Sequence, residues 1–389
     1  MDDKITVGVI GSGAMGSGIA QVAATAGHKV IVYDSSSSAI EKSKSSLESS
    51  LKKLIEKQKI TEQTAKEISQ KINYSERFSS FKECGMIIEA IVENLETKQK
   101  VFAEAEKIVS ENCILATNTS SLSIASVASA CKKPERVLGI HFFNPAQIMP
   151  LVEIIPSLST SETILTESKK LTDSWRKTTV VAKDTPGFIV NRVARPFYGE
   201  AIRIFEENIA DIATIDWAMK EIGGFKMGPF ELMDFIGNDV NYKVTETVWE
   251  QFFYDSRYKP SLTQKRLFES GRFGKKTGRG YYDYAEGAVN PEPKKDKALG
   301  EKIFLRILSM LMNEAADAVY LNVASKEDVD LAMTKGVNYP KGLLKWSDEM
   351  GLEKIYDQLK NLQEEYGEER YRPSVLMKRM AGKGEKFFT

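Results

Sequence analysis

Histidine and cysteine are scarce in this sequence, and an excess of charge of either sign is missing altogether. Among 389 residues there are two histidines and three cysteines, and 54 basic residues are matched by 54 acidic ones. The cysteines, Cys84, Cys113 and Cys131, are odd in number, far apart and without a CxxC pair. A disulfide framework therefore does not fit, a reducing compartment is expected, and no metal site is expected. No run of about 18 or more uncharged apolar residues occurs, which argues against a membrane-spanning helix. The opening segment MDDKITVGVIG runs straight into a strand pattern with no secretory signal, so a cytoplasmic location is expected. Zero net charge argues against a broad surface for nucleic acid or membrane, while permitting a local basic patch. What is present is ordinary for a globular chain: 42% hydrophobic and 28% charged residues. At roughly 100–200 residues per domain, two or three domains are expected, with cores large enough to need no disulfide.

Residues 4–10, KITVGVI, are rich in β-branched side chains and lead into a glycine-rich turn. A helical pattern runs on to about Ala26, and KVIVY (29–33) is a second apolar strand, which makes a βαβ unit. The serine-, lysine- and glutamate-rich stretch 35–72 hides Ile40, Leu47, Leu51, Leu54, Ile55 and Ile60 near helical spacing. It predicts a long helix, a turn and another helix, an amphipathic arm over about 38–72. Further strands are predicted at Met86–Ile91, Ile114–Thr117, Val137–Ile140, Leu151–Ile155 and Thr179–Ala182, with helical patterns between several of them. That alternation is the signature of a doubly wound α/β sheet. From Pro186 onward the pattern is mainly helical, and it repeats at a constant offset. Glu200 and Ala201 return as Glu314 and Ala315; Asp216, Ala218 and Met219 as Asp330, Ala332 and Met333; Gly228, Asp234 and Gly237 as Gly342, Asp348 and Gly351. NPEPKKDK (290–297) reads as the linker between the copies. Expected are an α/β domain over 1–185 and two helical domains over 186–288 and 289–389.

Gly11, Gly13 and Gly16 form GxGxxG directly after a strand and at the start of a helix. These glycines permit the tight turn, the approach of a pyrophosphate to the backbone, and close helix–strand packing. The helix N-terminus then meets the phosphate charge. Asp34 ends the next strand, where a carboxylate binds ribose hydroxyls, and Ser35–Ser38 offer no arginine for a 2′-phosphate. NAD is therefore expected rather than NADP, with Gly11, Gly13, Ala14, Met15, Gly16 and Asp34 around it. His28 lies in a turn and reads as structural. His141 ends the apolar strand RVLGIH, where crevices of open α/β sheets form. Glu153, twelve residues on, can pair with it across adjacent strands. A carboxylate on one ring nitrogen fixes the tautomer and leaves the other for proton transfer, as alcohol oxidation by NAD requires. Ser120 and Ser121 follow another strand end. Asn191, early in the first helix of the second part, can donate to a carbonyl oxygen that gains negative charge.

Taken together, GSGAMGSGIA, IVENLETK, TNTSSLSI, IHFFNPAQIMPLVEI, DTPGFIVNR and MGPFELMDFIG resemble the L-3-hydroxyacyl-CoA dehydrogenase family in order and spacing, from about Ile5 to Tyr284. The resemblance implies a Rossmann-like domain followed by helical domains like the C-terminal part of 6-phosphogluconate dehydrogenase. It implies reversible oxidation of L-3-hydroxyacyl-CoA by NAD, with His141 as acid/base, Glu153 as its partner, Ser120 at the substrate hydroxyl and Asn191 at the acyl carbonyl. It further implies that Asp34, Glu93, Lys98 and Asn144 contact NAD, and that Ser50 and Lys57 of the arm contact coenzyme A. Those two are seven residues apart and share a helix face. A dehydrogenase of a small hydroxy acid or sugar acid and a non-catalytic NAD-binding protein are the alternatives; the arm and the acid/base set weigh against them. Family members with one helical domain dimerise through it. Here the second copy breaks GPFEL to GLLKW, lacks the GRGYY ending of Gly278–Tyr282 and has no counterpart of Asn191. It is expected to be non-catalytic and to pack on the first copy as an intramolecular pseudo-dimer. Relatives are often fused to a hydratase, which implies a functional link to an enoyl-CoA hydratase.

Overall fold

Short β-branched runs punctuated by glycine form strands because side chains crowded at Cβ fit a pleated surface buried on both faces. In the computed structural model, which describes residues 4–388, these runs build one eight-stranded sheet. The chain divides between Thr185 and Pro186 into two units. In the first, β1 (Thr6–Ile10), α1 (Ala14–Thr25) and β2 (Lys29–Tyr33) form the opening βαβ unit. The arm follows as α2 (Ser37–Glu56) and α3 (Glu62–Lys71), each opened by a side-chain cap, Ser36 and Thr61. Then come β3 (Ile72–Ser75), β4 (Met86–Glu89), α4 (Leu95–Ile108), β5 (Ile114–Thr117), α5 (Ile124–Ala128), β6 (Val137–Phe142), β7 (Leu151–Pro156), α6 (Glu162–Ser174) and β8 (Thr178–Val181). The spatial order is β3-β2-β1-β4-β5-β6-β7-β8. Neighbours are parallel except β6 and β7, which run antiparallel. The edge strand β3 has no expectation in the sequence pattern, since INYS lacks an apolar run.

Alternate side chains fill two cores, one on each face of the sheet. Val7, Val9, Val30 and Val32 pack against Ile19 and Ala23 of α1 on one face; Ile10, Ile87 and Leu115 pack against Phe81 and Phe102 on the other. The three cysteines lie in the second core, and burial pushes each thiol up to about 12.

The second unit opens with α7 (Val190–Val193) and α8 (Arg195–Glu206). It continues through α9 (Ile212–Trp217), α10 (Pro229–Ile236), α11 (Asn238–Gln251) and α12 (Leu262–Glu269). A long α13 (Lys297–Tyr320) then begins a second series: α14 (Lys326–Gly336), α15 (Leu343–Met350), α16 (Leu352–Tyr366) and α17 (Val375–Ala381). The sequence repeat is a structural repeat. Asp216 accepts the N–H groups of Phe230 and Glu231 at the start of α10, and Asp330 accepts those of Leu344 and Lys345 at the start of α15. Asp234 accepts the N–H groups of Tyr281 and Tyr282, and Asp348 those of Phe387 and Phe388. The second copy was expected to lack this ending; Phe387–Phe388 take its place, with phenylalanine for tyrosine.

The copies pack together, with α13 against α8, through a reciprocal exchange of buried charge. Arg192 of the first copy reaches Glu314 of the second at 2.5 Å, and Arg306 of the second reaches Glu200 of the first at 3.1 Å. Each carboxylate also meets a second arginine and a tyrosine. Glu314 takes Arg257 at 3.2 Å and the Tyr258 hydroxyl at 2.6 Å. Glu200 takes Arg370 at 3.5 Å and the Tyr371 hydroxyl at 2.9 Å. Burial works against ionisation of Glu314, but Arg192 and Arg257 outweigh it and hold its carboxyl below the usual range. Among the described residues, no helix is long and apolar enough to cross a membrane.

Glu314→Ala leaves Arg192 buried without a carboxylate, and a loss of roughly 3–5 kcal/mol is expected in urea unfolding. Breaking the exposed Lys169–Asp173 pair should cost under about 1 kcal/mol. A folded-state carboxyl held low stabilises at pH values above its unfolded pKa and loses that contribution as pH falls through the folded value. The Glu314 effect should therefore be full at neutral pH and fade in acid; equal losses at both pH values would refute an ionic origin. The cysteines should resist a thiol reagent at pH 8, where a thiol at about 12 carries almost no thiolate. Labelling faster than global unfolding would contradict their burial.

Candidate active site

The carboxyl ends of β1, β2, β4, β5 and β6 open on one edge of the sheet, where ligands of doubly wound domains bind. The turn after β1 is closed by necessity. Gly11 has φ +101°, and a Cβ there would stand 2.6 Å from the Ala90 carbonyl oxygen. A Cβ on Gly16 would stand 1.9 Å from the Gly11 oxygen, so the helix can approach the turn only as glycine. Gly13 differs, since a Cβ there meets nothing within 4 Å. Gly13 is also the N-cap of α1, with no side-chain cap and no acidic residue in the first turn. The first N–H groups of this helix are thus left for an anion that can come close to the backbone.

Asp34, at the end of β2, accepts the Ser12 N–H and hydroxyl at 2.9 and 2.8 Å and the Ser36 N–H at 3.0 Å. Burial opposes its charge, but these donors outweigh burial and hold the carboxyl below the ordinary aspartate range. It is a fixed anion beside a glycine turn, which suits a diol. An open backbone cradle, an uncapped helix and an ionised carboxylate together fit NAD.

After β4 the residues form a network that sequence reasoning only partly anticipates. Lys98 is buried, with its ammonium 2.6 Å from Glu89 and 3.3 Å from Glu93. Glu89 is wholly buried and also accepts the Ile91 N–H and the Thr117 hydroxyl. Its only signal was an acid closing the apolar run MIIE. Glu93 accepts the Thr119 hydroxyl, the Ser120 N–H at 3.2 Å and the Ser121 hydroxyl at 3.0 Å. Burial raises the Glu93 carboxyl, but Lys98 and these hydroxyls bring it below its usual value. Lys98 thus acts through Glu93, which in turn shapes the turn that carries Ser120.

His141 and Glu153 face each other across the antiparallel pair β6–β7, in direct register. Opposite residues on one sheet face have Cβ atoms only about 5 Å apart. The His141 Nδ1 lies 2.7 Å from Glu153 Oε2, with Glu153 wholly buried and His141 6% exposed. Asn118, at the end of β5, accepts the Phe142 N–H at 2.8 Å and ties the neighbouring strand end to the histidine's own. The loop from Phe143 to Pro150 holds the exposed Asn144 and a cis Asn144–Pro145 bond. It is pinned by Lys177, which donates to the Ala146 and Met149 carbonyls at 2.6 and 2.8 Å. Burial lowers the Lys177 ammonium to about 8.

Between the arm and the body of this unit lies a cleft of about 700 Å³. Ser50, Lys53, Lys57 and Lys59 line it from the arm, and Arg176 and Lys177 from the far side. Ser50 donates to Gln21 on α1 at 3.0 Å. The surplus of cations suits a phosphorylated ligand. Asn191 belongs to α7 in the other unit, half-buried, with its backbone carbonyl accepting from Arg195 at 2.8 Å.

A dinucleotide cradle beside a buried histidine–carboxylate pair defines the class, an NAD-dependent dehydrogenase of alcohols. The chain matches the models for the 3-hydroxyacyl-CoA dehydrogenase NAD-binding domain over residues 6–185 and C-terminal domain over 187–284 and again over 303–386. It belongs to the 3-hydroxyacyl-CoA dehydrogenase family, whose reaction is the NAD-dependent oxidation of a 3-hydroxyacyl-CoA. It is 36% identical to the 3-hydroxyadipyl-CoA dehydrogenase of Escherichia coli K12, over 97% of each chain. A probable 3-hydroxybutyryl-CoA dehydrogenase of Bacillus subtilis is 40% identical over 72% of this chain and 96% of its own. The crystal structure of 3-hydroxybutyryl-CoA dehydrogenase from Escherichia coli K12 superimposes with a TM-score of 0.92 at 35% identity, covering 97% of this chain and 98% of that one.

Proposed function

We propose that His141 is the acid/base of a reversible oxidation of L-3-hydroxyacyl-CoA to 3-oxoacyl-CoA. The observation that carries this is the buried 2.7 Å contact between His141 Nδ1 and Glu153. With Nδ1 held by the carboxylate, Nε2 is the ring atom that takes the hydroxyl proton. The ring then becomes an imidazolium, and Glu153 offsets the new charge where little water can. NAD, held at the glycine turn and Asp34, would supply the hydride acceptor for C3. Ser120 orients the hydroxyl, and Asn191 donates to the acyl carbonyl. Gly11, Gly13, Ala14, Met15, Gly16 and Asp34 hold the pyrophosphate and adenosine ribose. Glu93 and Asn144 face the cofactor, with Lys98 setting the position of Glu93. Ser50 and Lys57 meet the phosphates of coenzyme A, and Lys53, Lys59 and Arg176 lend charge to the same cleft.

The second helical copy, in this reading, is non-catalytic and stands in for the partner subunit of a shorter relative. The reciprocal Arg192–Glu314 and Arg306–Glu200 exchange supports it, because a two-fold interface pairs residue i with j and j with i. Residues 1–185, 186–288 and 289–389 are then three domains. The enzyme works in the cytoplasm and hands its substrate to or from a separate enoyl-CoA hydratase.

The first test is NADH oxidation with acetoacetyl-CoA beside free acetoacetate. Turnover of the thioester alone is expected; equal turnover of the free acid would overturn the reading. Glu153→Gln should lower kcat about 100-fold while leaving NAD affinity within a few-fold, because its effect appears as charge develops on the ring. Matching losses in kcat and NAD affinity would contradict that role. Lys57→Ala should raise KM for acetoacetyl-CoA about 10-fold, with little change for a short thioester that lacks the nucleotide. A similar rise for both thioesters would remove Lys57 from the coenzyme A site.

A further inference from the structure

The segment between β6 and β7 joins the strand of His141 to the strand of Glu153 and carries Asn144. Its middle is one helical turn. The Ile148 and Met149 N–H groups both donate to the Pro145 carbonyl, at 2.9 and 3.0 Å. A turn this short leaves its later carbonyls without a partner inside it. Ala146, 1% exposed, has such a carbonyl where water hardly reaches.

One side chain answers this. β7 pairs with β8 with Leu151 opposite Thr178, and the Thr178 N–H donates to the Pro150 carbonyl at 2.8 Å. That register fixes Lys177 beside the turn, just before the ladder begins. Its ammonium donates to the Ala146 and Met149 carbonyls together, at 2.6 and 2.8 Å. A cation suits the carbonyl end of a helical turn, and a lysine has donors enough for two oxygens at once.

Two features go beyond what holding a loop demands. The turn lies hard against the helix of the phosphate cradle. A Cβ on Gly18 of α1 would stand 2.7 Å from Gln147 Oε1 and 3.1 Å from Ala146 Cβ. Glycine weakens a helix interior, and here it admits the turn. The second feature is charge. Burial alone lowers the Lys177 ammonium, and among the described residues no carboxylate offsets it. Its charged neighbours on the cleft are Lys53, Lys57 and Lys59 of the arm and Arg176 of its own segment, all cations. A neutral amide could serve the two carbonyls without that cost. A phosphorylated ligand in the cleft would compensate the charge, and Gln147 and Ile148 of the turn line the same cleft.

We infer that Lys177 is a positioning residue for the oxidation: it sets the turn 145–149, so that Asn144 and the end of β6 are placed for the cofactor while the turn walls the thioester cleft. This rests on the 3-hydroxyacyl-CoA reading of the site. Lys177 acts through the turn, which touches the cofactor helix on one side and the cleft on the other.

The test compares Lys177→Ala and Lys177→Arg with the wild type in NADH oxidation. The substrates are acetoacetyl-CoA and a short thioester that lacks the nucleotide, and active sites are counted by NADH binding. Lys177→Ala should lower kcat per NADH-binding site by about tenfold or more on both thioesters, because a small misplacement at the reacting centre is felt in the chemical step. Propylammonium, which supplies the missing atoms, should restore much of that kcat; tetramethylammonium, which has no N–H, should not. Lys177→Arg keeps the charge and several donors and should retain most of the activity. A rise in KM for acetoacetyl-CoA alone, at unchanged kcat, would overturn the proposal and leave Lys177 as one more cation of the cleft. Fewer NADH-binding sites with kcat per site unchanged would overturn it as well, since the residue would then serve folding only. So would a loss of kcat that neither arginine nor propylammonium restores. A wild type inactive toward both thioesters would overturn the functional reading itself, whereas an active wild type with unaffected variants would overturn this inference alone.

Discussion

An ionisable carboxylate with no exposure to water needs a partner, and the position of Glu153 supplies one. Burying the charge alone would cost many kcal/mol or force the group to take a proton. The antiparallel pairing of β6 with β7 puts His141 directly opposite, and its 2.7 Å contact with the carboxylate offsets part of that cost. A slip of one residue would turn every side chain of β7 to the other face and separate the two. The register is fixed by apolar neighbours on both sides, with Ile140 opposite Ile154 and Phe142 opposite Val152, all wholly or nearly wholly buried. Core packing thus sets the geometry of the histidine–carboxylate pair. The pinned loop after β6 and the bond from Phe142 to Asn118 keep the strand end from relaxing.

The same rule governs the helical unit, with the opposite purpose. Glu314 is as deeply buried as Glu153 and Glu200 nearly so, and each is surrounded by arginines and a tyrosine rather than by a histidine. Arginine stays protonated at any ordinary pH, so these pairs hold structure and exchange no proton. Glu153 instead faces a histidine, a side chain that can take up and release a proton, and the proposed acid/base role uses that difference.

Much of this was legible in the sequence, and what was not has identifiable causes. The βαβ opening, the arm and most strands follow from apolar periodicity, because those elements bury a regular stripe. β3 does not, since Asn73 and Ser75 interrupt its pattern. The spacing of His141 and Glu153 shows that they can meet; that they meet in register depends on the direction of β7, which no local pattern encodes. Lys98 reads, through the family resemblance, as a cofactor contact, whereas the fold buries it between two glutamates. Glu200 and Glu314 are visible as repeated positions. The crossing of each to the arginine of the other copy is not, because pairing across a two-fold arrangement leaves no trace in sequence order. The role of Phe387–Phe388 escapes because the bonds to Asp348 come from backbone N–H groups, which any residue supplies.

Losing one member of the buried network would strand the others in a low-dielectric interior, and both copies carry its arginine and its glutamate, Arg192 with Arg306 and Glu200 with Glu314. These positions record what the helices need in order to pack, because each carboxylate is satisfied only by cations that include one from the other copy.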